Sequence, residues 1–393
     1  MSFILSAPKI LGTDSKAAVI ENGFIEIEDA RIKRVGMVAS LSDTERAGMR
    51  HYDGCTILPG LINAHEHLAT KTRITPGIFG DITTEPIQLQ MLRAAKNAKA
   101  LLLEGITTIR ECGAREHLNL FISKGVQKGF IEGPDIVACG QPISITGGHC
   151  HYYSWQINSP YEGVRAVRTE LMAGADFIKV HATGGAGTLE GDPKLAELTL
   201  EELKAIVEDS HRAGKRVASH AIGRPGIENS LRAGVDTLEH GHYLDEALLD
   251  LMARNGTFFV PTLSGYVPLA EHGLKMGRPA WMVEKARRLV DAHRQAMAKT
   301  RAYKEIVIAA GTDSSGELVE ELELLISCGY PVEDAIKFAT INAAKTLGIE
   351  ASTGTLEEGK DANVLVVKGD PLADIRNLRL VADVIKRGKI VVH

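Results

Sequence analysis

Two histidines one residue apart, His65 and His67, close an apolar run that ends Leu61-Ile62-Asn63-Ala64. Side chains two apart on a strand share a face, so the pair can grip one metal ion while Glu66 points away. Neutral imidazole nitrogens suit zinc-type ions. Alone, the pair equally fits two polar residues where a strand leaves the core. Other ligand-type residues also end apolar runs. These are Lys179 in Phe177-Ile178-Lys179-Val180, His220 after Val217-Ala218-Ser219, His240 after Leu238-Glu239, and Asp313 after Ala309-Ala310-Gly311-Thr312. Each has a plain alternative: a satisfied polar histidine, a lysine snorkelling to the rim, an aspartate capping a helix. Six such residues at five strand ends point to a metal site.

Lys179 is the unusual member, because an ammonium repels a cation. Burial beside cations favours the neutral amine, which reacts with carbon dioxide to give a carbamate bearing two anionic oxygens. With four histidines and one aspartate, a bridging carbamate makes the site binuclear.

The elements that must position these groups are legible as an alternation. Apolar strand candidates fall at 56–61, 107–110, 135–139, 177–180, 216–219, 237–239, 258–262 and 307–310, with amphipathic helices such as 88–104, 164–173, 200–213 and 245–254 between them. Eight strands alternating with helices predict an α/β fold, a closed (β/α)8 TIM barrel, whose functional groups sit at the C-terminal ends of the strands. The competing open doubly wound sheet wants a glycine-rich phosphate turn after its first strand, and His65-Glu66-His67 stands there instead. Short strands punctuated by glycine occupy both ends of the chain. Residues 1–56 and 355–393 are expected to pair into a small β-sandwich domain, with the barrel of 57–354 inserted between them.

A length of 393 residues accommodates both units. Net charge is −5, and lysines and arginines are scattered, which argues against a nucleic-acid partner. Five cysteines without a C-x-x-C pair read as free thiols in a reducing compartment. The start of the chain lacks a signal-peptide pattern, and no apolar stretch approaches the roughly 20 residues of a bilayer span, so a soluble cytoplasmic protein is expected.

The pattern H-x-H, strand-4 lysine, histidine, histidine, aspartate resembles the amidohydrolase superfamily. The segments Ile143-Ser144-Ile145-Thr146-Gly147-Gly148-His149, Lys179-Val180-His181-Ala182-Thr183-Gly184-Gly185, Thr237-Leu238-Glu239-His240-Gly241 and Val260-Pro261-Thr262-Leu263-Ser264-Gly265-Tyr266 are similar to its prolidase-like branch, metal-dependent Xaa-Pro and Xaa-Arg dipeptidases. The resemblance implies that His65 and His67 hold one metal with Asp313, that His220 and His240 hold the second, and that carboxylated Lys179 bridges them. It implies hydrolysis of a C–N amide bond in a dipeptide or N-acyl amino acid. The nucleophile is a metal-bridging hydroxide, and Asp313 takes its proton and hands it to the leaving amine. His149 and Tyr266 resemble substrate contacts. Zinc is the expected ion, although manganese, cobalt or nickel suit the same ligands. A symmetric homo-oligomer is expected.

Three departures from the branch bear on the substrate. Cys150 and His151 replace its usual Gly-Asp, His181 stands where methionine is common, on the same strand face as Lys179, and His242 follows His240. These imidazoles favour a more polar or anionic substrate, with His181 among the substrate contacts. Arg110 reads as a structural ion-pairing residue. The alternative activity is hydrolysis of cyclic amides, lactones or xenobiotic-like small molecules on the same site. A mononuclear deaminase does not need the lysine, and a non-catalytic assembly subunit tends to lose ligands. Specificity is expected in the loops at 70–80, 149–159 and 266–279.

Overall fold

A computed structural model describes residues 2–12, 18–71, 84–189 and 191–391. The first and last segments of the chain meet in one eight-stranded sheet. Strand Ser2–Leu11 pairs antiparallel with Val19–Glu28 on one side and parallel with Cys55–Pro59 on the other; Cys55–Pro59 in turn pairs antiparallel with Val364–Lys368. Ile10, Ile25, Ile57, Val364 and Ile385 bury one another at its centre, so the two ends of the chain are joined by a shared apolar core.

Between these ends the strands are parallel and alternate with helices. One sheet has the order Leu61–Glu66, Ile106–Glu111, Asp135–Ala138. A second runs Trp155–Ile157, Ile143–Ile145, Ile178–His181, Val217–Ala221, Thr237–His240, Phe258–Val260. The segment around Ile308 forms a parallel bridge to Phe259, and Ala64 donates its N–H to the Ala310 carbonyl at 2.8 Å. Thr199 and Glu202 form a reciprocal capping box on Leu200–Arg212. No helix among the described residues is long and apolar enough to cross a membrane.

The expectation of a first parallel strand at 56–61 is corrected. Cys55–Pro59 belongs to the terminal sheet, and the parallel strand is Leu61–Glu66. Gly60 is the crossing point: a Cβ there would stand 2.3 Å from the Thr107 side chain. Both strands are buried throughout, so a continuous apolar run hides the change of sheet. The first ligand pair is thereby carried to the end of its own strand.

Candidate metal centre

His65 lies within strand Leu61–Glu66 and His67 just beyond its end. The backbone after Ala310 runs close against this strand. Thr312 and Asp313 both donate their N–H groups to the His65 carbonyl at 2.9 Å, and Gly311 allows the approach, since a Cβ there would lie 2.7 Å from the His65 Cβ. Asp313, His240, Thr262 and Cys150 all have positive φ, at 54°, 73°, 57° and 53°. Backbone strain of this kind persists only where surrounding packing enforces it; Asp313, His240 and Cys150 line one cavity.

All six expected ligands, His65, His67, Lys179, His220, His240 and Asp313, line that cavity, together with the expected substrate contacts His149, His181 and Tyr266. His65, His240 and Asp313 form one grouping in which each offers a ligand atom within 4.8 Å of the others. His67 Nε2 stands 3.8 Å from Asp313 Oδ1. The His220 and His240 rings are 4.5 Å apart, and His149 stacks on His220 at 4.4 Å.

The test of fit lies in what each imidazole does with its other nitrogen. Nδ1 of His65 meets Glu239 at 2.7 Å, that of His240 meets Thr262 Oγ1 at 2.7 Å, and that of His67 meets the Gly113 carbonyl at 3.1 Å. His220 instead uses Nε2 on the Gly184 carbonyl at 3.1 Å. One nitrogen of each ring is tethered and the other is left for the cavity, the arrangement of metal-ligating histidines. Burial, with help from the Lys179 charge, draws the His65 pKa down to about 4. Burial also holds His220 and His240 well below the usual histidine range, so these rings are neutral and able to ligate at neutral pH. Burial opposes ionisation of Asp313, but His65 and His67 win and hold it below the usual carboxylate range.

Lys179 is 1% exposed, and its Nζ lies 3.4 Å from His65 Nε2. Among the described residues it has no carboxylate within ion-pair distance. A buried ammonium without a counter-charge is costly, which fits a lysine that carries an anionic group. The donor set therefore fits divalent metal ions.

Several supporting residues escape a reading by sequence. Glu239 sits beside His240 in the chain yet binds His65 and, through Oε1, the Arg110 guanidinium at 2.7 Å. Arg110 also donates to Ala64 O and Thr237 Oγ1, so it is the structural ion-pairing residue expected. Burial opposes the charge of Glu239, but Arg110 and His65 keep it ionised. Glu66 does point away from the pair, onto Lys71 at 2.8 Å. Arg278 and Cys150 also line the cavity. His242 does not; it stacks on His293 at 3.8 Å. Of the expected specificity loops, positions 72–80 lie outside the described residues.

Comparison with known proteins finds relatives over nearly the whole chain. The chain is 29% identical over 409 residues to the ochratoxinase of Aspergillus niger, covering 94% of this chain and 83% of that protein. A crystal structure of a Xaa-Pro dipeptidase with methionine bound in its active site superposes with a TM-score of 0.88 at 29% identity, covering 100% of both chains. A prolidase complexed with N-methylphosphonate-L-proline superposes with a TM-score of 0.87 at 26% identity, covering 100% of this chain and 99% of that one. The sequence model of the Amidohydrolase family matches residues 56–391, and the chain therefore belongs to the amidohydrolase family, with prolidase-like members among its structural neighbours, as a hydrolase of carbon–nitrogen bonds.

Proposed function

We propose that the protein is a binuclear amidohydrolase that cleaves the amide of a dipeptide or an N-acyl amino acid. The observation that carries this reading is the convergence on one cavity of four tethered imidazoles, one aspartate and a buried lysine that has no carboxylate at ion-pair distance among the described residues. His65, His67 and Asp313 would hold one ion, His220 and His240 the other, and Lys179, carboxylated, both. Zinc suits the nitrogen-rich set best. When bound, the ions supply Lewis acidity and lower the pKa of water toward about 7.

The chain's own groups do the rest. Glu239 and Thr262 fix the His65 and His240 rings in one orientation. Asp313, ionised at neutral pH, accepts the proton of the attacking water as the C–O bond forms, and returns it to the amine nitrogen as the C–N bond breaks. His149, His181 and Tyr266 face the same space and orient the substrate. The scaffold that does this is a closed (β/α)8 barrel with a small β-sandwich built from both chain ends, the division falling at Gly60 and near residue 355.

Metal-loaded protein is expected to hydrolyse members of a dipeptide and N-acyl-amino-acid panel, followed by amine release. Turnover confined to lactones or cyclic ureas would sink the proposal and favour the alternative activity.

A further inference from the structure

We propose that Thr188 is a positioning residue for His149. Its hydroxyl holds the ring in the tautomer that presents an N–H to the cavity, so that His149 serves as a hydrogen-bond donor to a substrate oxygen. This rests on the substrate-orienting role given to His149 above and adds the group that decides what the ring can offer.

Six imidazoles line the cavity, those of His65, His67, His149, His181, His220 and His240. Five of them are tethered to groups that accept. His67 meets the Gly113 carbonyl, His220 the Gly184 carbonyl, and His181 Nδ1 the His149 carbonyl at 2.9 Å. His65 meets the carboxylate of Glu239. His240 meets Thr262 Oγ1, whose own proton is donated to the Pro261 carbonyl at 2.6 Å. In each neutral ring the tethered nitrogen therefore carries the proton, and the other nitrogen offers a lone pair.

His149 departs from this pattern. Its Nδ1 stands 3.1 Å from Thr188 Oγ1, which accepts the Cys150 backbone N–H at 2.9 Å. Thr188 is 4% exposed, and among the described residues its hydroxyl proton has no acceptor other than His149 Nδ1. A buried donor left unpaired is costly. Thr188 therefore donates to Nδ1, and the ring proton sits on Nε2. The two threonines act oppositely: Thr262 accepts from its histidine, Thr188 donates to its own.

Nε2 of His149 lies 3.4 Å from Cys150 Sγ, and a thiol sulfur is a weak acceptor that a substrate oxygen outcompetes. Gly185 keeps this edge of the ring open, since a Cβ there would stand 2.6 Å from Nε2. Thr188 is held from behind by Lys285 of helix Ala280–Thr300, which donates to the Thr188 and Leu189 carbonyls at 2.6 and 2.8 Å. The His149 backbone is fixed as well, its N–H donating to Glu197 at 2.7 Å. Thr188 meets His149 across 39 positions of chain, where no pattern in the sequence joins them.

The test reads the tautomer directly. Zinc-loaded protein with isotope-labelled histidine is measured by long-range proton–nitrogen correlation, with His149→Gln identifying the signal. The unmodified protein is expected to show an unprotonated Nδ1 and a protonated Nε2 at His149. Thr188→Val is expected to lose that fixed pattern and to lower kcat/KM for amide substrates roughly 10-fold, while Thr188→Ser, which keeps the hydroxyl, retains both. A protonated Nδ1 in the unmodified protein overturns the assignment. So does full turnover by Thr188→Val, or a Thr188→Ser variant no better than Thr188→Val. Loss of bound zinc from Thr188→Val would mark a structural role and overturn it too. The tautomer needs no substrate. Absence of amide turnover by the unmodified protein therefore removes the proposed function, while the correlation spectrum still decides what Thr188 does to His149.

Discussion

Lys71 forms a 2.8 Å ion pair with Glu66 and donates a hydrogen bond to the Asp313 carbonyl at 3.2 Å. Glu66 in turn accepts the His67 N–H at 2.9 Å, and Thr312 Oγ1 joins both partners. One fully buried ion pair therefore ties the first ligand strand to the loop of the last ligand. Removing one partner of such a pair leaves an uncompensated charge and costs about 3–5 kcal/mol. Lys71→Met is expected to lower the unfolding free energy by that order, and the Glu66→Gln, Lys71→Met double variant to lose less. Denaturant titrations of the two decide the matter; a double variant no more stable than the single would show that charge compensation is not the role.

Glu239 orients His65 from behind, and Arg110 keeps it ionised. Outer hydrogen bonds of this kind typically govern metal affinity by about 10- to 100-fold. Glu239→Gln is expected to weaken retention of the ion on His65 by that factor while leaving the fold in place. Competition with a chromophoric chelator measures it, and unchanged affinity would contradict the orienting role.

The residues that converge on the cavity are legible because strand ends expose polar residues against an apolar background, and His65, His220, His240 and Asp313 each stand out locally. Their partners are not. Glu239 meets His65 across 174 positions of chain, and Lys71 meets Thr312 across 241. Such pairings follow from the order of the strands, which periodicity does not encode. The apolar run from Thr56 to Ala64 likewise concealed the crossing at Gly60, since strands buried on both faces carry no alternation to mark where one ends. The alternation of strands and helices survived because it depends only on local period.

Glu321 gives a pH dependence of stability that is separate from the metal ligands. It is fully buried and accepts the backbone N–H groups of Leu263 and Ser264, at the start of the helix that carries Tyr266. Burial raises its pKa to about 7 from the usual 4.5, against the pull of those hydrogen bonds. Between these values the folded state holds a proton that the unfolded state has lost. Its contribution is therefore greatest below the unfolded value and declines as pH rises from about 4.5 through 7. Glu321→Gln is expected to flatten that part of the stability profile, by an amount on the order of 3 kcal/mol across the window. Thermal melts at pH 5 and pH 8 of both proteins measure the difference; parallel profiles would exclude Glu321 as its source.

Lys179 bears on the metal centre most directly. The amine is buried beside His65 and has no carboxylate at ion-pair distance among the described residues. Carboxylated, as proposed above, it would add two anionic oxygens to the single carboxylate of Asp313. Lys179→Ala is expected to lower bound metal from two equivalents and to reduce turnover more than about 100-fold. A short carboxylate such as formate or acetate fits the space the side chain vacates and is expected to restore part of both. Metal content measured with and without the added acid reads the effect independently of turnover. Full turnover by Lys179→Ala without any added carboxylate would show that the lysine is not the bridge.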